Sequence, residues 1–398
     1  MERIEDIQSN VRPGYPDFSD LPWNLPLNDW PGRCPRIEEA PKGPSRHPVI
    51  FVNYAGQLFA LKELPLSLAE QEYHSLLMMG EAHIPAVTPV GSVHRSRANG
   101  ADSVLITRYL DYSIPFRTLF MSSRLSRYRD HLLDAISGLL VQLHLGDLFW
   151  GDCSLSNALF RRDAGALRAY LVDAETAEYF PKGIPALMRH QDLEIMEENI
   201  NGELSDLNAE GYLAGDIPYV DVGSYIRLRY QLLWEDISRE EIINPQEGYR
   251  IQERIRSLND LGFSVSDVEL LQTADGNQLR LRAIVSDRSF HHDQLLNLTG
   301  IDAEEKQAQK MMNEIREVKA TLSQQNNRST PLSAAAYYWQ RNIYEPTILS
   351  LKPSIRPDMG EAELYCQVLE HKWYLSEKAQ KDVGHQAATE DYLKNFSA

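Results

Sequence analysis

The sequence predicts an α+β protein of two lobes, a small antiparallel sheet with one helix and then a mainly helical lobe, followed by an additional C-terminal α/β and helical domain. Three observations carry this reading. Short β-rich runs pair around tight turns between residues 47 and 110, with one amphipathic helix between the two pairs. A long apolar-faced helix then leads into FWGDCSLSNALF (149–160), where polar residues interrupt a core-like run. Beyond residue 245 the pattern changes again, to a strand pair and a series of helices. At 398 residues the chain has room for two or three domains of roughly 100–200 residues each.

Residues 11–45 are rich in Pro, Trp, Asp and Gly and read as an extended arm, pinned to a domain surface by Trp23, Leu25, Leu27 and Trp30. PVIFVNY and QLFALKEL flank the turn Ala55-Gly56 as a hairpin. A helix over 66–80 follows from the spacing of Leu68, Glu72, Leu76 and Met79. VTPVGSVHR and DSVLITRYL form a second strand pair. The long helix spans 124–146, with Leu132, Leu133, Ile136, Leu139, Leu140 and Leu143 on its apolar face. NALFRR and LRAYLVD turn at Asp163-Ala164-Gly165, and an acid-rich helix at 186–209 stops at Gly211. The block 245–300 reads as helix (GYRIQERIRSLNDLG), two strands (VELLQT and QLRLRAIV) and helix. The rest is helical, with breaks at SQQNNRSTP and KPSIRPDMG. The expected organisation is an arm with a phosphate-loop candidate (1–46), a sheet lobe (47–112), a helical lobe (113–215) and an accessory domain (216–398), the last divided into the block at 245–300 and a helical region at 301–398.

Composition excludes several classes. A formal charge of −17 repels a phosphate polymer, so neither nucleic acid nor an anionic membrane surface is an expected partner. No apolar run approaches the ~20 residues that span a bilayer. The acidic, polar start MERIEDIQSN does not read as a secretory signal. Cys34, Cys153 and Cys366 show neither disulfide nor metal spacing, which fits a reducing, cytoplasmic setting.

Four features then line up in order. Lys62 sits on the second strand of the first hairpin, and Glu72 on the helix after it. Asp152 and Asn157 form D-x4-N in the loop after the long helix, and Asp173 ends the strand of YLVDAET. Phosphoryl transfer needs such parts: a lysine on the phosphates, a carboxylate to hold it, an Asp for the acceptor hydroxyl, and hard oxygen ligands for Mg²⁺. Taken singly each is weak. A strand-end lysine or a helix glutamate is usually solvated, Glu70 competes with Glu72, and D-x4-N recurs by chance. Their joint order, spacing and element type make the case.

With these residues in view, the first half of the chain resembles the protein-kinase-like superfamily, in particular its lipopolysaccharide (Kdo/heptose) kinase-like branch. FWGDCSLSN-x-LF and YLVDAET resemble a bacterial family in which this domain is fused to a C-terminal domain of unknown function. YEPTILSLKP and LEHKWYLSEKAQKDVG resemble that second domain. The resemblance implies a bilobal protein-kinase-like fold and the cofactors ATP and Mg²⁺. It implies Lys62 as the phosphate lysine, Glu72 as its partner, Asp152 as catalytic acid/base, and Asn157 and Asp173 as metal ligands. The chain departs from the pattern in three places. Trp150-Gly151 stands where kinases carry His-Arg, which argues against control by loop phosphorylation. Ala174-Glu175 stands for Phe-Gly. The Gly-rich loop is reduced to PKGPSRH, where Gly43, Ser45 and Arg46 are the candidates to cover the phosphates.

The expected function is ATP- and Mg²⁺-dependent phosphotransfer to a hydroxyl acceptor, a sugar or other small molecule. One alternative is a pseudokinase scaffold whose folded site binds nucleotide, or nothing, and another is transfer of AMP. The C-terminal domain is open to gating the cleft, to self-association, or to binding a protein partner or effector. Outside the site, His291-His292-Asp293 is expected to be a helix start and not a metal cluster, and Cys153 a packed thiol. Tyr337-Tyr338-Trp339 is expected to be buried helix packing, and the acids of 191–210 a solvated face.

Overall fold

The structure is a computed structural model and describes residues 4–40, 42, 45–97, 100–121, 129–213, 221–238, 241–243, 267–272, 279–284, 290–325, 330–352, 359–379 and 381–396. The chain divides into two compact units: residues 1–160 with 169–239, and residues 161–168 with 240–398.

In the first unit, β2 (Val49–Tyr54) and β3 (Gln57–Pro65) form the expected hairpin. Its turn residues Ala55 and Gly56 both have positive φ, 54° and 83°, the conformation that matches the twist of paired strands in a two-residue loop. α1 (Leu66–Glu81) follows, then β4 (Pro89–Arg97) and β5 (Gly100–Arg108). The sheet order is β1-β4-β5-β3-β2, antiparallel throughout. β1 (Ile4–Val11) was not expected; it pairs with β4 at the far edge. Leu61, Val93, Val104 and Ile106 of the sheet share a buried cluster with Phe18, Leu21, Trp23, Leu27 and Trp30 of the arm. The arm is therefore structural, as its aromatic content implied. Buried Arg95 ties it down by donating to Leu25 O at 2.9 Å while pairing with Glu63 at 3.0 Å and Asp102 at 2.7 Å.

The helical part of this unit holds α2 (Phe116–Phe120), α3 (Arg129–Leu145), α4 (Ala186–Ala209) and α5 (Val222–Ser238). α1, α2 and α4 each begin directly after a proline: Pro65, Pro115 and Pro185. Proline lacks an N–H and biases the residue before it to extended backbone, so the helices cannot run back through it. Short strands follow: β7 (Leu148–Phe149) pairs with β10 (Glu178–Tyr179), and β6 (Ile114–Pro115) joins β8 (Ala158–Asp163) and β9 (Ala166–Leu171), of which residues 161–168 belong to the second unit. α5 packs on α3 and α4 through buried Ile226, Tyr230 and Leu233. It thus lies in the first unit and not in the segment from 216 onward that the sequence assigned to the accessory domain.

The second unit has a three-stranded antiparallel sheet, β11 (Glu241–Ile243), β12 (Asp267–Gln272) and β13 (Leu279–Ile284), in the order β11-β13-β12. The expected helix at 248–262 lies outside the described residues. Helices α6 (Phe290–Thr299), α7 (Glu305–Gln325), α8 (Leu332–Trp339), α9 (Glu345–Leu351), α10 (Glu361–Ala379) and α11 (His385–Phe396) surround a core with Met311, Ile315, Trp339 and Tyr365. A π turn, Gln340–Tyr344, joins α8 to α9. The expectation that Tyr337-Tyr338-Trp339 is buried is corrected for two of the three. Trp339 is buried, but Tyr337 is 65% and Tyr338 43% exposed, because neighbouring positions on a helix point to different faces. His291 does sit at a helix start; Glu305, from the next helix, accepts from the backbone N–H groups of both His291 and His292. No helix among the described residues is long and apolar enough to cross a membrane.

Candidate active site

Of the residues picked from the sequence, Ser45, Arg46, Lys62, Asp152, Asn157 and Asp173 line one cleft of about 490 Å³ inside the first unit. Lys62, in the middle of the sheet lobe, points its Nζ at Asp173 Oδ2 (2.6 Å), Glu72 Oε2 (3.1 Å) and Glu175 Oε2 (3.3 Å). Glu72 comes from α1 and is almost fully buried; Glu70 makes no part of this set. Asp173 follows β9, whose Leu171 pairs with Ala86 beside the sheet lobe. The strand ladder, the helix and the returning strand thus bring one lysine and three carboxylates together.

Burial and charge oppose each other here. Burial pushes the Glu72 carboxyl up, and the charge of Asp173 adds to it, against the pull of Lys62. Burial alone would lower Lys62, but the charges of Glu72 and Asp173 outweigh it and the ammonium is held above its usual range. Lys62 is therefore a fixed cation facing an excess of negative charge. Oxygen atoms of Glu72, Asp173 and Glu175 lie within 4.8 Å of one another, a set of hard donors of the kind a divalent cation prefers.

Asp152 and Asn157 line the same cleft. Asn157 Nδ2 donates to Asp152 Oδ2 and to its backbone oxygen, each at 3.0 Å. The loop that carries Asp152 is locked from below. Asp192 of α4, fully buried, accepts from Trp150 N at 2.8 Å and Gly151 N at 2.9 Å, and pairs with His144 Nε2 at 2.9 Å. Trp150 Nε1 donates to Asp173 O at 3.2 Å, and Thr176 Oγ1 to Trp150 O at 2.8 Å. The WGD and DAET segments are thereby cross-braced. Gly151 has φ +78°, and a Cβ there would lie 2.8 Å from a Phe149 ring carbon and 3.1 Å from Thr176 O. The glycine that replaces the arginine of protein kinases is thus demanded by the backbone.

Ser45 and Arg46 line the cleft mouth with Lys42 and His47, while Gly43 lies outside the described residues. Ile37 bridges Val52 antiparallel. His47 Nε2 is 3.4 Å from Glu175. Val49, Phe51, Ala60, Leu159 and Val172 supply apolar walls, and Arg108–Leu110 the connecting edge.

Sequence reading missed Glu175, Asp192, Asn199 and Glu203. Glu175 was visible only as a departure from Phe-Gly. The other three belong to α4, whose acids were expected to face solvent. Asp192 is instead fully buried, and Asn199 and Glu203 line the cleft. Burial pushes the Glu203 carboxyl up, against hydrogen bonds from Ser156 and Ser154. Cys153 is buried and, as expected, an inert packed thiol: burial and the nearby Asp192 drive it well above the usual thiol range.

Residues 57–214 match the model of the lipopolysaccharide kinase (Kdo/WaaP) family, and residues 232–396 match that of a domain of unknown function (DUF4032). No curated protein matches the chain. Among solved structures, one titled "WaaP in complex with acyl carrier protein" aligns at 15% identity with a TM-score of 0.36, over 64% of this chain and 99% of that one. An overlap that loose carries no argument; the family match and the assembled cleft do. Residues 57–214 of this chain form a domain of the lipopolysaccharide kinase (Kdo/WaaP) family, and they are joined to the domain of unknown function at 232–396.

Proposed function

We propose that the first unit is an ATP- and Mg²⁺-dependent phosphotransferase acting on the hydroxyl of a sugar or another small molecule. The observation that carries this is Lys62 Nζ, 3.1 Å from Glu72 and 2.6 Å from Asp173, on the wall of a cleft that Asp152 and Asn157 also line. A cleft of about 490 Å³ falls within the roughly 300–1,000 Å³ of small-molecule sites. The apolar side chains of Val49, Ala60, Leu159 and Val172 suit the two faces of a purine, and the polar end with Lys62 suits its phosphates.

In this reading Lys62, oriented by Glu72, binds the phosphates, and Ser45 and Arg46 cover them with Gly43 of the same loop. Asn157 and Asp173 would hold the magnesium ion, and their oxygen donors fit it. When bound, the ion supplies positive charge to the transferring phosphoryl group. Asp152 orients the acceptor hydroxyl and takes its proton as the oxygen attacks the γ-phosphorus. The fixed Lys62 cation offsets the charge that grows on the phosphate oxygens, the largest catalytic contribution expected of such a site. The sheet lobe (47–112) and the helical lobe, from 113 and including α5, would act together, with the second unit as an accessory domain.

Melting with ATP, with and without Mg²⁺, gives the first test, because a ligand at 100 times its Kd stabilises by about 2.7 kcal/mol. A metal-dependent rise supports an enzyme, and no rise supports a scaffold. Lys62→Ala should weaken ATP use strongly. Asp152→Ala should abolish transfer and keep nucleotide binding; full turnover by that variant would remove Asp152 from its role. Product mass separates phosphate from AMP transfer.

A further inference from the structure

α4 carries a row of polar side chains along the face it turns to the WGD loop: Asp192, Asn199 and Glu203. Positions seven and eleven residues apart on a helix share a face. Asp192 holds the loop backbone and Glu203 accepts from Ser156 Oγ at 3.1 Å. Asn199 reaches Asp152 itself: its Nδ2 donates to Asp152 Oδ1 at 2.9 Å and, more weakly, to Cys153 O at 3.4 Å. Both partners are acceptors, so the amide can point only one way. Asn157 holds the other oxygen, Asp152 Oδ2, at 3.0 Å.

Each oxygen of the Asp152 carboxylate is therefore tethered by one amide N–H, from two different segments of the chain. The terminal torsion of an aspartate is broad and nearly two-fold, so a single tether leaves the plane of the carboxylate free to tilt. Two tethers on opposite oxygens fix it, and each oxygen keeps lone-pair capacity for a hydroxyl. Proton transfer requires that the base stay within hydrogen-bond reach of the attacking oxygen. We propose that Asn199 is a positioning residue for Asp152, setting the plane of the carboxylate that receives the acceptor's proton. This rests on the phosphotransfer reading above. It also assigns the acceptor side of the cleft to α4, next to Glu203.

The test compares wild type, Asn199→Leu and Asn199→Ala in the full chain, with ATP and Mg²⁺ as substrate and first water, then a panel of sugars, as acceptor. Asn199→Leu keeps the approximate shape and loses the donor without placing a second carboxylate beside Asp152. Both variants should lose about 10- to 100-fold in kcat, with KM for ATP within twofold and the melting temperature nearly unchanged. A merely structural asparagine would give a different pattern: Asn199→Leu tolerated, and Asn199→Ala lowering the melting temperature with kcat intact. That pattern, or kcat within twofold of wild type for both variants, overturns the proposal. Absence of turnover in the wild type with every acceptor overturns the phosphotransfer reading, and the role of Asn199 with it.

Discussion

Replacing Asp192 by alanine tests the architecture on which the site depends. In the folded protein its carboxylate accepts from Trp150 N–H and Gly151 N–H and meets His144 at 2.9 Å, all within a fully buried pocket. Alanine offers no acceptor and leaves both backbone donors without a partner. Each buried donor left unsatisfied costs about 1–3 kcal/mol, so the pair costs about 2–6 kcal/mol. At about 1.4 kcal/mol per factor of ten, opening of the loop should become about thirtyfold to twenty-thousandfold more frequent. Hydrogen exchange read by mass spectrometry on a peptide covering 148–153 reports this opening locally. It needs no assumption that the whole chain unfolds in one step. The loop also fixes Asp173 through Trp150 Nε1, so phosphotransfer should fall in parallel. Exchange of that peptide within twofold of wild type would refute the argument that Asp192 holds the loop.

Two further outcomes follow from the same structure. Gly151→Ala combines left-handed backbone strain with a Cβ 2.8 Å from Phe149, whereas Gly56→Ala has a positive φ and nothing within 4 Å; calorimetry should show the first lowering the melting temperature at least twice as much as the second. In the second unit, burial would raise Glu314, but hydrogen bonds from His385 (2.7 Å), Tyr365 (2.6 Å) and Trp339 (3.1 Å) overcome it and hold it below the ordinary 4.5. A carboxyl lowered by folding stabilises above its unfolded value, and that stability is lost as pH falls through the folded one. Melting temperature should therefore drop more steeply below pH 4.5 in wild type than in Glu314→Gln; parallel curves would show that Glu314 is not the group responsible.

The sheet lobe was legible because its strands alternate and its turns carry the right residues, and the long helix because its leucines recur at helical spacing. Lys62, Glu72, Asp152, Asn157 and Asp173 could be picked because the strand, helix and loop patterns set them out in one order; all but Glu72 line one cleft, and Glu72 holds Lys62 beside it. β1 was not legible: IEDIQSNV is polar, and its strand state comes from pairing with β4, a partner far along the chain. Asp192, Asn199 and Glu203 were hidden for a related reason. An acid-rich helix reads as solvated until one knows which face a loop covers, and only the fold supplies that. Tyr337 and Tyr338 failed the opposite way, since an aromatic run suggests a core but a helix can bury only part of it.

The most direct measurement is a crystal structure with an ATP analogue and Mn²⁺ in place of Mg²⁺, located by anomalous scattering. The account predicts the metal on Asn157 and Asp173, phosphate oxygens on Lys62 Nζ, and the base between Ala60 and Leu159. A nucleotide bound elsewhere, or a metal that touches neither Asn157 nor Asp173, would contradict it.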